Sequence, residues 1–155
     1  LPEVSSEKRK YIPISILDGR FLCGNKLRLI DNANLYHFGI LNSSMHMAWM
    51  RAVAGRLESR YQYSKNIVYN NFVWPEINEV EQSEIEKLSQ MVLDARAQFP
   101  DASFADLYDP LSMPPVLAKA HKALDRYVDR LYRKEGFATD ADRVSHLFTL
   151  YREKN

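Results

Sequence analysis

The stretch RLESRYQYSKNIVYNNFVWP, Arg56–Pro75, decides the fold, because it is the last part of the chain with the composition of β-strands. Its β-branched and aromatic residues predict strand structure from Arg56 to Trp74, and Pro75 ends it. Beyond Pro75 the apolar residues recur at helical spacing only. We therefore predict an α+β protein, in which a small mixed β/α lobe over residues 1–75 is followed by a predominantly helical lobe over residues 76–155.

The helical lobe is predicted to contain three helices, and each has a recognisable start signal. Ser83 and Glu86 have capping-box spacing at the start of the first helix. Pro114-Pro115 opens the second helix, and Thr139 caps the third. The apolar residues that follow each signal recur at helical spacing, which predicts amphipathic helices.

The first lobe begins with two segments that have strand composition. Tyr11–Ile16 is rich in branched and aromatic residues, and Pro13 within it favours an edge strand. A second short strand is predicted at Leu27–Ile30. Asn34–Ala54 then has helical periodicity, with a break at Asn42-Ser43.

The charge of the chain is balanced overall but unevenly distributed. The formal net charge is +1, and 46% of the 155 residues are hydrophobic, as in a folded protein. Residues 1–70 carry ten Lys and Arg against five Asp and Glu, whereas residues 71–155 carry eleven against fifteen. We therefore expect a polyanionic partner to meet the N-terminal half.

Several classes of protein are excluded by composition. A single cysteine, Cys23, rules out an internal disulfide framework and a cysteine-rich zinc site. No apolar run is long enough to span a membrane, and no signal-peptide pattern is present, so a cytoplasmic location is expected. Because the chain starts at Leu1 rather than Met, we interpret it as a fragment of a longer protein.

The sequence also lacks the motifs of a catalytic centre or a metal site. No glycine-rich phosphate loop, nucleophile elbow or zinc-protease motif occurs. The histidines are isolated, and a structural role for His37 and His46 is favoured over metal ligation. Asp101, Asp106 and Asp109 could form an acid/base pair, but turns and helix caps are the favoured interpretation. No catalytic residue, metal ligand or cofactor is predicted within this chain.

A candidate for DNA recognition lies at Glu58 and Arg60. In an extended strand the two side chains would share one face. Arg can donate to guanine O6 and N7 while a carboxylate accepts from cytosine N4, so together they could read one G·C pair. The alternative is a solvated or internally paired Glu and Arg, with the neighbouring tyrosines packing in the sheet.

Phosphate contacts are predicted around this candidate pair. The residues assigned to the DNA backbone are basic or carry a hydroxyl group, and they are Arg28, Arg56, Tyr63, Ser64 and Lys65. Such contacts would position the protein on the duplex without reading its sequence.

Two long strings carry a family resemblance, NANLYHFGILNSSMHMAWMRAVAGRLESRYQYS at Asn32–Ser64 and DARAQFPDASFADLYDPLSMPPVLAKAHKALDRYVDRLYR at Asp94–Arg133. They resemble the C-terminal part of the MmeI-like type IIL restriction-modification enzymes. The resemblance implies that residues 1–75 are the latter part of a target recognition domain and residues 76–155 a helical C-terminal domain.

The resemblance also implies partners and cofactors. The parent protein would combine a nuclease using Mg²⁺ with an adenine-N6 DNA methyltransferase using S-adenosylmethionine, and its partner would be double-stranded DNA. Glu58 and Arg60 resemble the family's base-specifying pair, which varies between Glu/Arg and Lys/Asp. The turn Asn25-Lys26 is the candidate for a second reading loop. A further possibility remains that the helical lobe chiefly docks on the other domains of its polypeptide.

Overall fold

The fold of the protein, seen in a computed structural model that describes residues 1–18, 20 and 24–154, combines a small sheet with helices. The helices in the described residues are α1 Leu35–Leu41, α2 Ser44–Val53, α3 Glu79–Ala97, α4 Phe104–Leu107, α5 Pro115–Tyr132 and α6 Asp140–Lys154. The strands are β1 Val4–Ser5, β2 Gly55–Leu57 and β3 Arg60–Gln62. The predicted α+β class is confirmed, and Cys23 lies outside the described residues.

The described strands form one antiparallel sheet in the order β1-β3-β2. Val4 pairs with Gln62 and Gly55 also pairs with Gln62, so β3 is the central strand. A two-residue turn joins β2 to β3, because Leu57 pairs directly with Arg60. The sheet is therefore a hairpin to which the N-terminal segment adds a third strand.

The helices share one hydrophobic core. Helix α1 packs on α3, α3 packs on α5, and α2 packs on both α5 and α6. Met45, Ile85, Leu124 and Leu147 from four of these helices are fully buried in one cluster. Because α1 and α2 precede residue 76, the two segments predicted as lobes are joined by a continuous core.

The prediction of a strand at Tyr11–Ile16 is wrong. Within the described part of the chain no strand pairs with this segment, which crosses the helical core, and helices bury Tyr11, Ile12 and Ile14. Side chains satisfy its backbone: Arg96 Nη1 donates to the Ile14 carbonyl over 2.6 Å, and the Ile12 amide donates to Met47 Sδ. The apolar composition therefore indicated correctly that the segment is buried, but it packs against helices rather than beside another strand.

The strand predicted at Leu27–Ile30 is also wrong. Within the described residues it makes only an isolated antiparallel bridge, between Leu27 and Pro2.

Of the strand predicted over Arg56–Trp74, only the part up to Gln62 is β-structure, in β2 and β3. Lys65–Tyr69 instead forms one π-helical turn, in which the Asn70 amide donates to the Lys65 carbonyl, and Trp49 Nε1 of α2 donates to the Val68 carbonyl over 2.9 Å.

Most helix boundaries follow the predicted signals. The break at Asn42-Ser43 separates α1 from α2, Pro114 precedes α5, and the Thr139 hydroxyl accepts from the Asp142 amide at the start of α6. Helix α3 is the exception, since it begins before Ser83. Asn78 and Glu81 form its capping box, a pairing equivalent in chemistry to the predicted one. No helix in the described part of the chain is long and apolar enough to cross a membrane.

Candidate nucleic-acid interface

The turn of the β2-β3 hairpin consists of Glu58 and Ser59. Glu58 has a φ of 57°, in the left-handed region. A positive φ at the first residue of a two-residue hairpin turn is typical of type II′ turns, which usually carry Gly there. The predicted extended geometry is therefore wrong at Glu58, which lies in the turn rather than on a strand.

Glu58 and Arg60 nevertheless lie together at the tip of the hairpin. Arg60 Nη2 donates to Glu58 Oε2 over 2.9 Å. The Glu58 side chain is 78% exposed and that of Arg60 is 46% exposed. An exposed ion pair contributes at most about 1 kcal/mol, so an external partner could separate the two side chains at little cost.

Arg56 lies beneath this tip on β2, opposite Tyr61 of β3. Its guanidinium carbon is 3.9 Å from the centroid of the Tyr61 ring. Its Nη1 donates to the Ser59 carbonyl over 2.9 Å. The Tyr61 side chain is buried, which gives the guanidinium a fixed surface on which to lie. Sequence analysis missed this internal role because it depends on the register of the hairpin.

The assignment of Tyr63 to the DNA backbone is wrong. Its side chain is buried, and its hydroxyl group is 2.9 Å from His46 Nε2. Burial raises the pKa of Tyr63 and lowers the pKa of His46 to about 3, so both groups are neutral near pH 7. This hydroxyl therefore joins the sheet to α2, a contact across seventeen residues that local sequence could not indicate.

The neighbouring candidates Ser64 and Lys65 lie at the start of the π-helical turn. Ser64 Oγ accepts from the Ile67 amide over 3.3 Å and so caps that turn. The side chain of Lys65 is exposed. Ser64 thus has a local structural role, whereas Lys65 is available to an external anion.

The Asn25-Lys26 turn lies next to the N-terminal strand. The Leu27 amide donates to the Gly24 carbonyl over 3.1 Å, and the Glu3 amide donates to the Lys26 carbonyl over 3.0 Å. Because the Tyr63 amide donates to the Glu3 carbonyl, the turn, the N-terminal strand and β3 lie side by side. Tyr63 follows the last residue of β3, so Lys26 lies level with the end of that strand opposite the hairpin tip.

The remaining predicted phosphate contact, Arg28, is already paired. Its Nη2 donates to Glu3 Oε1 over 2.6 Å, although the Arg28 side chain is 45% exposed. A DNA phosphate would therefore have to compete with the Glu3 carboxylate for this guanidinium.

Asp106, Asp109 and His37, which were considered for other chemistry, have structural partners. Asp106 forms a capping box with Ser103, and Asp109 Oδ1 accepts from the Leu111 amide, so the interpretation as caps and turns is confirmed for both. His37 completes the capping box of α1. Over residues 1–18, 20 and 24–154, no cluster of three or more His, Cys, Asp or Glu is placed to hold a metal ion.

The strained turn allows a test by substitution. Glu58→Gly is expected to raise the free energy of unfolding by up to about 1 kcal/mol, because the left-handed conformation costs a residue with a Cβ about 1–2 kcal/mol and glycine gives part of this back in chain entropy. Urea denaturation would measure it. Asn32→Gly is the matched control: Asn32 has a φ of 54°, but asparagine tolerates this region, so a smaller gain is expected. A loss of stability in Glu58→Gly would contradict the assigned turn.

Comparison with known proteins shows the family of the chain. Residues 1–76 match the family model of the MmeI target recognition domain, and residues 77–155 match that of the MmeI C-terminal domain. The chain therefore belongs to the MmeI family, as its sequence resemblance predicted.

Two relatives cover nearly all of the chain. DNA methyltransferase A of Bacillus subtilis (strain 168) is 41% identical over 153 residues, which are 99% of this chain and 17% of that protein. A solved structure of the type IIL restriction-modification enzyme MmeI in complex with DNA is 45% identical, with a TM-score of 0.94 over 98% of this chain and 20% of that one. The chain thus spans about one fifth or less of the length of these relatives.

Proposed function

We propose that this chain is the DNA-recognition part of a restriction-modification polypeptide, and that its β2-β3 hairpin reads bases in the major groove. The observation that supports this most directly is the exposed Glu58 and Arg60 pair at the tip of the hairpin. The chain's likeness to a relative solved in complex with DNA adds independent support. The proposed partner is double-stranded DNA.

The hairpin has the dimensions and chemistry that base reading requires. A two-stranded β-ribbon fits the major groove of B-DNA. Arg60 would donate two hydrogen bonds to guanine O6 and N7, and Glu58 would accept one from cytosine N4 of the same base pair. On binding, the side chains would exchange their mutual ion pair for these contacts with the bases.

Phosphate contacts would hold the hairpin in register. Lys65 is exposed just after β3 and would contact a phosphate, while the Asn25-Lys26 turn stays the candidate for a second reading loop. Arg28 would contribute after exchanging Glu3 for a phosphate. Binding should consequently weaken as the salt concentration rises, because each phosphate contact releases counterions.

The chemistry of the parent polypeptide would lie in other domains. In this proposal an S-adenosylmethionine-dependent methyltransferase domain modifies adenine, and a nuclease domain using Mg²⁺ cuts the DNA. Methylation requires the adenine to be flipped out of the helix, and this chain would hold the duplex during that step. The core shared by α1, α2 and the later helices would keep the hairpin in a fixed position while the base is flipped.

Arg60→Gln tests the proposal in the complete restriction-modification polypeptide. We expect discrimination against a substituted base pair at one position to fall by about 1–3 kcal/mol, roughly five- to 160-fold, because the bidentate contact is lost. Competition binding with DNA duplexes that differ at single positions would measure it. Arg130→Gln, on the exposed surface of α5, is the matched control and should leave discrimination unchanged. Equal discrimination in Arg60→Gln and the parent would overturn the proposal in favour of a helical bracing module.

A further inference from the structure

We propose that Arg56 is a positioning residue that fixes the hairpin turn between the two readers, rather than a phosphate contact. The proposal rests on the proposed function and deepens it, because it assigns a residue that would determine specificity without touching a base. It also replaces the role that residue type alone suggested for Arg56.

The geometry places Arg56 on the second of the two peptide groups that link Glu58 to Arg60. The Ser59 carbonyl belongs to the peptide bond between Ser59 and Arg60, and Arg56 Nη1 donates to it over 2.9 Å. This hydrogen bond fixes the plane of that peptide, and so the direction in which the backbone of Arg60 continues. Glu58 precedes the same peptide by one residue, so both readers depend on its orientation.

Tyr61 makes Arg56 a rigid support rather than a mobile one. The guanidinium lies 3.9 Å from the centre of a ring that is only 8% exposed. A planar guanidinium can stack on a ring and donate hydrogen bonds in its own plane at the same time, whereas an ammonium group cannot adopt this arrangement. The position therefore calls for Arg in particular, and for an aromatic residue opposite it.

The turn has a physical need for such a support. Glu58 holds a left-handed conformation with a φ of 57°, which residues with a Cβ disfavour. Without the contact from Arg56, the turn could relax to another conformation and carry both readers away from the base pair. Because the support involves neither Glu58 nor Arg60, those two positions can change while the turn keeps its shape.

Arg56→Lys separates this role from a phosphate contact, because it keeps the positive charge and removes the planar group. Measured in the complete polypeptide, discrimination at the base pair read by Glu58 and Arg60 is expected to fall roughly tenfold. The slope of log affinity against log salt concentration is expected to stay unchanged. Tyr61→Phe should keep the parent's discrimination because its ring remains, whereas Tyr61→Leu should lose it to a similar extent.

Lys65→Gln is the matched control for a phosphate contact: its salt slope should fall by about one while its discrimination is unchanged. Arg56→Lys with unchanged discrimination, or Arg56→Gln behaving like Lys65→Gln, would overturn the positioning role. Thermal unfolding of each variant would confirm that the fold is retained. If Arg60→Gln also leaves discrimination unchanged, the proposed function fails; if Arg60→Gln lowers it and Arg56→Lys does not, the positioning role alone fails.

Discussion

Exchanging the two readers, Glu58→Lys together with Arg60→Asp, is expected to change one base pair of the recognised DNA sequence and to preserve overall affinity. The exchange reverses which position of the hairpin donates hydrogen bonds and which accepts them. A site built for G·C would then favour C·G, since guanine presents acceptors in the major groove and cytosine a donor. The pair carries no net charge before or after the exchange, so the phosphate contacts and their salt dependence should persist.

Mapping of methylated adenines in cells that express the complete polypeptide would measure this exchange directly. The double variant should methylate a motif that differs from the parent's at one position, whereas each single variant should lose methylation because its two readers no longer complement any base pair. Exchanging the exposed α3 ion pair, Glu84→Lys with Lys87→Glu, is the matched control and should leave the motif unchanged. An unaltered motif in the Glu58 and Arg60 double variant would mean that other residues read the DNA.

The helical part of the fold could be predicted from the sequence because its signals are local. Pro114, Thr139 and the break at Asn42-Ser43 act within one helical turn, and each marks a boundary of the structure. The segment Tyr11–Ile16 shows the opposite case. Its composition indicates that the segment is buried. Whether it packs in a sheet or among helices depends on residues far away in the chain, among them Met47 and Arg96.

Part of the candidate site could also be predicted, because it depends on residue types within a short stretch of the chain. The chemistry of Glu58 and Arg60 is visible in their residue types and in the family resemblance, and the structure brings the two side chains into contact. The turn at Glu58 could not be predicted, because glutamate is an unfavourable residue for a positive φ. Tyr63 could not be placed either, since its partner His46 belongs to α2 and the contact forms only when helix and sheet pack together.

A buried polar cluster connects the helical core to the segment that follows β1. Asp125 of α5 accepts hydrogen bonds from the Tyr11 hydroxyl over 2.5 Å, from the Ser44 hydroxyl over 2.6 Å and from the Ser44 amide over 2.7 Å. Lys10 Nζ lies 3.9 Å from the same carboxylate. Asp125 is 6% exposed, and this burial raises its pKa. One carboxylate thus joins α5, the start of α2 and the N-terminal segment that continues from the sheet.

Asp125→Ala is expected to lower the free energy of unfolding by about 3–5 kcal/mol, because it removes a buried charge-bearing acceptor and leaves the Tyr11 and Ser44 donors without it. This is a large part of the 5–15 kcal/mol typical of a folded domain. Urea denaturation of the chain, followed by circular dichroism, would measure it. Asp125→Asn should cost less, since the amide oxygen can still accept from Ser44 and the hydroxyl groups can rotate to accept from the amide.

Asp94→Ala is the matched control for this substitution, because Asp94 is exposed on α3 and its loss should change stability by less than about 0.5 kcal/mol. A loss of less than about 1 kcal/mol in the free energy of unfolding for Asp125→Ala would contradict the structural role of the cluster.

Discrimination between base pairs in the complete polypeptide provides a second, independent measurement. Because the cluster contacts neither Glu58 nor Arg60, Asp125→Asn in the complete polypeptide should keep the parent's discrimination wherever the protein remains folded. A changed motif in that variant would instead mean that the helical core sets the position of the hairpin tip.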